Sequence, residues 1–391
     1  HSGEMPVKVI RYGRYNVKAL SRLLDAALDE LGVSPPSDVP TLLKPNVVVA
    51  TKPRSAAITH PAVVEATIRA FLARGVRKII VGEGPGLGAD EERLFAAAGY
   101  ERLRRKYGVT LLNLNEAERV EVTWKYGTLR IPKVVTDAFY VNMPKLKTHG
   151  HTVVTLSIKN QKGLLLNADK KRFHLLGLHE PLVELLRVVK PDLVVADGIV
   201  GMEGEGPLNG RRKRANVLVV GTDALEADIT CCRLMGIDPK RVKHLKMAME
   251  RGLGITEPVI RGVEPEKASF GVKFKLPNEK YGRMLNVYSW RNPYACSMCI
   301  DAFSLAVKSA FRRPKHWGTL LRFLYSAAFR RIDVIQGRHA KVPEEARGIL
   351  LCLGNCTKDV ASSEKDAIHV GGCPPDAESI LEALRSALRR R

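Results

Sequence analysis

Four cysteines near the C-terminus are the side chains best suited to chemistry: Cys296 and Cys299 in YACSMC, Cys356 in LGNCTK and Cys373 in GGCPPD. A close thiol pair, a third thiol on a glycine turn and a fourth followed by proline form a soft tetrahedral ligand set, suited to an iron–sulfur cluster or to zinc. The spacing separates the two. A zinc ribbon offers a second tight pair, whereas sixteen residues separate Cys356 from Cys373 and each ends a strand-like run. Cys373-Pro374 also matches the Cys-Pro that closes a ferredoxin ligand set. We therefore expect one [4Fe–4S] cluster, with zinc as the alternative. Four thiolates leave no open coordination position, which favours electron transfer over substrate binding at iron. Cys231 and Cys232 in an apolar helix, and Cys352 inside LLCLG, read as buried thiols that pack as small hydrophobes.

A second constellation lies upstream: Lys44-Pro45-Asn46, Thr59-His60-Pro61, the run 142–149 (NMPKLKTH), 159–163 (KNQKG), and Asp197-Gly198 leading to 204–207 (GEGP). Each block follows an expected strand or opens a helix, and open α/β sheets bind ligands beyond the carboxyl ends of their strands. Lys145, Lys147, His149, Lys159 and Lys162 would give such a crevice positive potential, apt for a phosphate or carboxylate. His149, Lys145 and His60 are the candidates for proton transfer. Lys44, Asn46, Thr59, Lys147, Lys159, Asn160, Lys162 and Asp197 are the candidates for ligand binding. Taken singly, each lysine is also explained as a solvated surface charge.

Two further segments invite a functional reading and have a plainer one. Gly84-x-Gly86-x-x-Ala89 fits a loosened dinucleotide fingerprint, but it follows the third strand, contains Pro85, and is followed by Asn113 and Asn115 where an acidic residue is needed. A tight glycine turn accounts for it. Residues 311–331 interleave aromatic and basic side chains, a pattern able to dock an acidic partner or an anionic membrane surface. A helix covering the cluster is the simpler expectation.

The elements that must position these groups alternate short β-branched runs with helical-period segments from residue 7 to about 261, as in helices packed on a largely parallel sheet. Strands are expected over 7–10, 41–49, 77–81, 109–114, 139–143, 192–196 and 217–220, with a hairpin over 120–131. Helices are expected over 17–31, 61–73, 90–107 and 224–235. A charged, proline-punctuated stretch at 262–292 marks a boundary, giving an α/β domain over 5–285 and a smaller α/β cap over 286–391. In the cap we expect helices over 301–311, 316–332 and 377–389 and strands over 349–353 and 367–370.

At 391 residues, and about one domain per 150 residues, two domains with an embellishment are expected. Lys and Arg total 63 against 41 Asp and Glu, and the net charge of +22 favours an anionic partner such as a phosphorylated ligand, an acidic protein or nucleic acid. The excess is spread along the chain and only two glutamines occur, a bias that also fits a heat-adapted, ion-pair-rich surface. Seven cysteines, unevenly placed, do not make a secreted disulfide scaffold, and no apolar run reaches the roughly 18 residues of a membrane span. A cytoplasmic protein is the expectation.

The blocks LLKPNVV, ITHPAVVEA, VGEGPG, NMPKLKTH, SIKNQKG, VVADGIVGMEGEGPLNG and GTDALEAD resemble, in order, the signature blocks of the family called domain of unknown function 362, over about residues 41–235. Several members carry iron–sulfur ligands; the resemblance therefore implies such a cofactor, and a tail with one CxxC and two isolated cysteines implies at most one cluster. A more distant likeness of architecture links these domains to nickel-pincer lactate racemases, where lysine and histidine hold a modified nucleotide. Lys145, Lys147 and His149 would take that part, as a redox-independent acid–base enzyme, and nickel is not carried over with the likeness. The expected function is a [4Fe–4S] redox enzyme or electron-transfer component acting on an anionic small molecule, with an electron donor or acceptor protein as partner. The alternative is a binding protein with a structural cluster or zinc that docks nucleic acid or an acidic partner.

Overall fold

Strands covered on both faces are near-continuous apolar runs, and Thr41–Pro45 and Ile79–Glu83 are buried at every position, their polar ends at Lys44 and Glu83 included. They lie in the larger of two units into which the chain divides, made of His1–Lys170 with His179–Pro277; the smaller comprises Lys171–Leu178 and Asn278–Arg391. The computed structural model describes residues 6–86, 92–268, 272–295, 297–311 and 313–387. Cys296 and the end of the glycine fingerprint, Gly88 and Ala89, lie outside them.

In the larger unit the strands are β1 (Val7–Arg11), β2 (Thr41–Pro45), β3 (Ile79–Glu83), β4 (Thr110–Asn113), β5 (Arg119–Trp124), β6 (Gly127–Pro132), β7 (Phe139–Met143), β8 (Lys145–His149), β9 (Val153–Val154), β10 (Leu193–Glu203), β11 (Arg211–Gly221) and β12 (Ile260–Gly262). The main sheet runs β12-β1-β11-β10-β7-β2-β3-β4, with β8 also paired to β10 and β9 to β8; β5 and β6 form a separate hairpin. The stretch from β10 through β7, β2 and β3 to β4 is parallel. The expected largely parallel sheet is nevertheless mixed. Only residues 204–210 join β10 to β11, too few for a crossover of about a dozen residues, so the two pair antiparallel, and β1 pairs antiparallel with β11.

One irregularity positions the site. After β7 the chain breaks at Pro144, and β8 continues alongside β10, with Lys145 opposite Asp197 and Lys147 opposite Met202. Alternate residues of a strand share a face, so Lys145, Lys147 and His149 project to one side of β8. Gly198 and Gly201 of β10 allow the close approach: a Cβ on Gly198 would stand 2.7 Å from Leu146 Cδ2, and one on Gly201 would overlap the Leu146 carbonyl. The expected helix over 90–107 is two, Leu94–Ala98 and Glu101–Tyr107, parted where Gly99 takes φ +80°.

The smaller unit has a five-stranded sheet in the order β13 (Tyr281–Met284), β14 (Val287–Trp290), β15 (Ile332–Gln336), β16 (Ile349–Leu353) and β17 (Ile368–Val370), parallel except for the β13–β14 hairpin. Helices Ser297–Phe311, Trp317–Phe329 and Ala377–Ala387 pack on it through Phe303, Ala306, Leu320, Phe323, Ile380 and Leu384. The helix expected to run to Ile332 ends at Phe329, because Ile332 begins a fully buried strand. It does not turn its aromatic stripe toward the protein: Trp317, Leu321, Tyr325 and Phe329 are 54–76% exposed.

Candidate functional site

Two lysine–carboxylate pairs are buried in the larger unit. Lys44 Nζ lies 2.8 Å from Glu83 Oε1, with neither side chain more than 3% exposed, and Lys145 Nζ lies 2.7 Å from Asp197 Oδ2. Burial pulls both lysines below the ordinary lysine pKa, against the opposing pull of their carboxylates. Lys145, expected to give the crevice positive potential, is thus paired with a carboxylate, and so is Lys44, expected to bind a ligand. Glu83, at the end of β3, also accepts from the backbone N–H groups of Val47 (2.7 Å) and Gly84 (2.9 Å), closing the glycine turn onto β2. Gly163 sits against this pair, where any Cβ would overlap Glu83 Oε1 and stand 2.7 Å from Lys44 Nζ.

Asp197, expected as a ligand-binding residue, is a hub. It accepts from Lys145 Nζ, the Tyr15 hydroxyl (3.1 Å), and the backbone N–H groups of His60 (2.9 Å) and Ile199 (3.2 Å). Tyr15 in turn accepts from Lys145 and from Val200 N–H, both at 3.1 Å, and stacks on the His60 ring with centroids 3.6 Å apart. His60 caps the helix Pro61–Ala73, its Nδ1 accepting from Ala62 N–H. Burial lowers its pKa to about 4, so at neutral pH the ring is uncharged.

A chain of amides ties the sequence blocks together. Asn160 Oδ1 accepts from Lys44 Nζ (3.2 Å) and Asn46 Nδ2 (2.8 Å), and Asn160 Nδ2 donates to Asn142 Oδ1 (2.8 Å). Thr59 Oγ1 donates to the Met143 carbonyl and accepts from Asn46 N–H. These polar groups are buried and bonded to one another, with Asn46 Oδ1 left without a partner, which makes Asn46, Thr59 and Asn160 positioning residues for the strand ends. Asp228, from the GTDALEAD block, accepts from Ser157 N–H and Ile158 N–H, and burial pushes its pKa up to about 8.

The lysines that act electrostatically on His149 are Lys147, Lys159 and Lys162. Burial first, then the charges of Lys159, His151, Lys147 and Lys162, hold its pKa well below the ordinary histidine range. His149 Nδ1 faces the backbone N–H groups of His151 (3.1 Å) and Thr152 (3.4 Å). Accepting there, the neutral ring carries its proton on Nε2 and presents a donor. His149 and His60, expected to exchange protons near neutral pH, are thus both neutral. Lys147 Nζ donates to the Ala57 carbonyl at 2.7 Å. The arrangement favours holding and orienting an anion over abstracting a proton.

Sequence reasoning passed over Tyr15, Glu83 and a histidine pair. His179 and His244 stack with centroids 5.7 Å apart; burial lowers the pKa of both, and the charge of Lys159 adds to it, as it does for His149. Both ring nitrogens of His244 are buried without a hydrogen-bond partner. The alternation K-x-K-x-H in 145–149 was the available signal for the face of β8; nothing local marked Tyr15 or His244 as companions.

In the smaller unit, β16 and β17 end side by side and their following loops join: Gly354 N–H donates to the Val370 carbonyl, Asn355 N–H to the Gly372 carbonyl, and Gly372 N–H to Asn355 Oδ1. Cys356 and Cys373 therefore leave neighbouring, hydrogen-bonded loops. Cys299 lies in the first turn of the helix Ser297–Phe311, and its sulfur reaches the same place. A Cβ on Gly354 would stand 3.2 Å from Cys299 Sγ and 3.5 Å from Cys356 Sγ. The absent side chain of Gly354 thus leaves the space between two thiols open. Cys299 itself sits at a helix N-terminus, where backbone N–H groups favour negative charge. Among the described residues no three histidine, cysteine or acidic side chains converge as a metal-ion site; Cys296 is not among them. Cys231, Cys232 and Cys352 are fully buried elsewhere, with Cys352 pushed up to about 11 by burial.

The chain is 28% identical to a thylakoid-associated protein of Synechocystis sp. over 261 residues, 64% of this chain and 79% of that protein. A Thermotoga maritima protein of known crystal structure aligns with a TM-score of 0.29 and 12% identity, over 60% of this chain and 59% of that one. No helix among the described residues is long and apolar enough to cross a membrane. Residues 41–233, which hold the buried lysine pairs, the amide chain and His149, match the family described as Domain of unknown function (DUF362).

Proposed function

We propose that the protein is an iron–sulfur protein that binds a small anion in its larger unit and carries a [4Fe–4S] cluster in its smaller one, acting as a redox enzyme or electron-transfer component. The observation that carries the reading is the convergence of Cys299 and Cys356 on the side-chain-free position of Gly354, with Cys373 on the adjoining loop. Cys296, Cys299, Cys356 and Cys373 would hold the cluster, which when bound supplies one-electron transfer with no ligand position open to substrate. In the larger unit, Lys147, Lys159 and Lys162 provide attraction for a carboxylate or phosphate, and the His149 Nε2–H provides a directional donor. The Lys44–Glu83 and Lys145–Asp197 pairs hold the strand ends rigid beneath them.

The test replaces each of the four cysteines by serine in the full chain, purified without oxygen, and reads the visible absorption and the iron content. Each replacement should weaken or abolish the chromophore, while Cys231→Ser and Cys352→Ser leave it intact. A chromophore that survives all four replacements ends the assignment, and one zinc per chain without colour replaces it by a structural metal site.

A further inference from the structure

We infer that the helix Trp317–Phe329 is a peripheral membrane anchor, which lays its aromatic face onto an anionic lipid surface. Its buried side, Leu320, Phe323 and Ala327, packs into the core of the smaller unit. Its other side repeats a large apolar residue every fourth position, with Trp317 54%, Leu321 68%, Tyr325 73% and Phe329 76% exposed. Phe311, 55% exposed at the end of the preceding helix, extends the patch, and Trp317 Nε1 donates to its carbonyl. Single exposed leucines are ordinary; a contiguous apolar line along one helix face marks an interaction surface.

The charge around the line says what covers it. No acidic residue occurs between Asp301 and Asp333, and seven lysines and arginines do: Lys308, Arg312, Arg313, Lys315, Arg322, Arg330 and Arg331. Arg313 and Lys315 share a single carboxylate, Glu378, and Arg331 pairs with Asp333, while the stretch between Asp301 and Asp333 contributes cations and no carboxylate. A second copy of the chain meeting this face about a two-fold axis would oppose these cations to themselves. A helix with Trp, Leu, Tyr and Phe outward and arginine and lysine alongside lies flat in the interface of an anionic bilayer, with the aromatic rings at headgroup depth and the basic groups on phosphate.

Trp317 supplies the reporter, because the other two tryptophans, Trp124 and Trp290, are each only 6% exposed. The full chain is titrated with phosphatidylcholine vesicles, with and without phosphatidylglycerol, and followed by tryptophan emission and by flotation. We expect a blue shift and co-flotation with the anionic vesicles only, both lost at high salt. Leu321→Ser with Tyr325→Ser and Phe329→Ser, at positions that contribute little to the core, should keep the circular dichroism spectrum and weaken partitioning by about tenfold or more. Trp317→Phe should float normally without the shift. Absence of partitioning, or partitioning unchanged in the triple variant, overturns the inference. So does a concentration-dependent doubling of mass abolished by the triple variant, which assigns the face to a second copy, or saturable binding of poly-glutamate through it, which assigns it to an acidic protein. None of these outcomes depends on whether the cysteines bind a cluster.

Discussion

Replacing Gly354 by alanine inserts a methyl group 3.2 Å from Cys299 Sγ and 3.5 Å from Cys356 Sγ, in a backbone conformation of φ +94° and ψ 154°. That region of φ and ψ is essentially restricted to glycine, and forcing another residue into it costs about 1–3 kcal/mol. The methyl also fills the space the two sulfurs share, so the cost rises further when both must turn toward one cofactor. Gly371→Ala provides the control: its Cβ would meet nothing nearer than Asn355 Oδ1 at 3.4 Å, an ordinary contact. In anaerobically purified protein, Gly354→Ala should lose most of the iron and visible absorption of the wild type. Its smaller unit should unfold several degrees lower, since each kcal/mol is worth about 4 °C in a unit of this size. Gly371→Ala should match the wild type in both. A Gly354→Ala protein with full iron content and an unshifted transition would refute the placement of the cofactor between these loops.

Glu83→Gln strands the buried ammonium of Lys44 and should cost about 3–5 kcal/mol in denaturant unfolding, while Lys44→Met combined with Glu83→Leu recovers most of the loss; an equally costly double variant would contradict the pairing. His60, His179, His149 and His244 have pKa values below the ordinary histidine value, the first two at about 4, so the folded protein binds fewer protons than the unfolded chain between about pH 6.5 and pH 4. Stability from this source is present above about pH 6.5 and is lost as the pH falls, so the unfolding temperature should decline across that window, and less steeply in His244→Phe. Burial and the neighbouring lysines hold the His149 ring neutral, with Nδ1 accepting from two backbone N–H groups. Sulfate should therefore bind among Lys147, Lys159 and Lys162 with little change between about pH 6 and about pH 8 and without proton uptake by calorimetry, and more weakly in His149→Phe, which lacks the Nε2–H donor.

The residues that could be read from the sequence are those whose partners are local or whose pattern is periodic. The apolar runs of β2, β3 and β7 announced buried strands, and the thiols at the ends of β16 and β17 announced loops that the parallel register of 351–353 with 368–370 brings together. The lysines of β8 were found but their surroundings were not. The carboxylate of Glu83 reaches Lys44 from the neighbouring strand, and Tyr15 reaches Lys145 across 130 residues, contacts that only the closed sheet creates. The antiparallel half of the sheet was hidden because β11 opens with Arg211–Arg214, a polar run that reads as loop and becomes strand only through its partner β10. The same holds for β15, where Asp333 interrupts an apolar run and is accommodated by Arg331, Trp290 Nε1 and the N–H groups of Arg347 and Gly348. The outward face of the helix Trp317–Phe329 was legible as a pattern, but its exposure depends on which of its two apolar sides the core takes.

The measurement that bears most directly on the central claim is the iron, acid-labile sulfide and zinc content of the full chain purified without oxygen, taken with its visible spectrum. The account predicts about four irons and four sulfides per chain, with a broad visible absorption. Zinc in place of iron, or iron and sulfide undiminished when Cys296, Cys299, Cys356 and Cys373 are all serine, would contradict it.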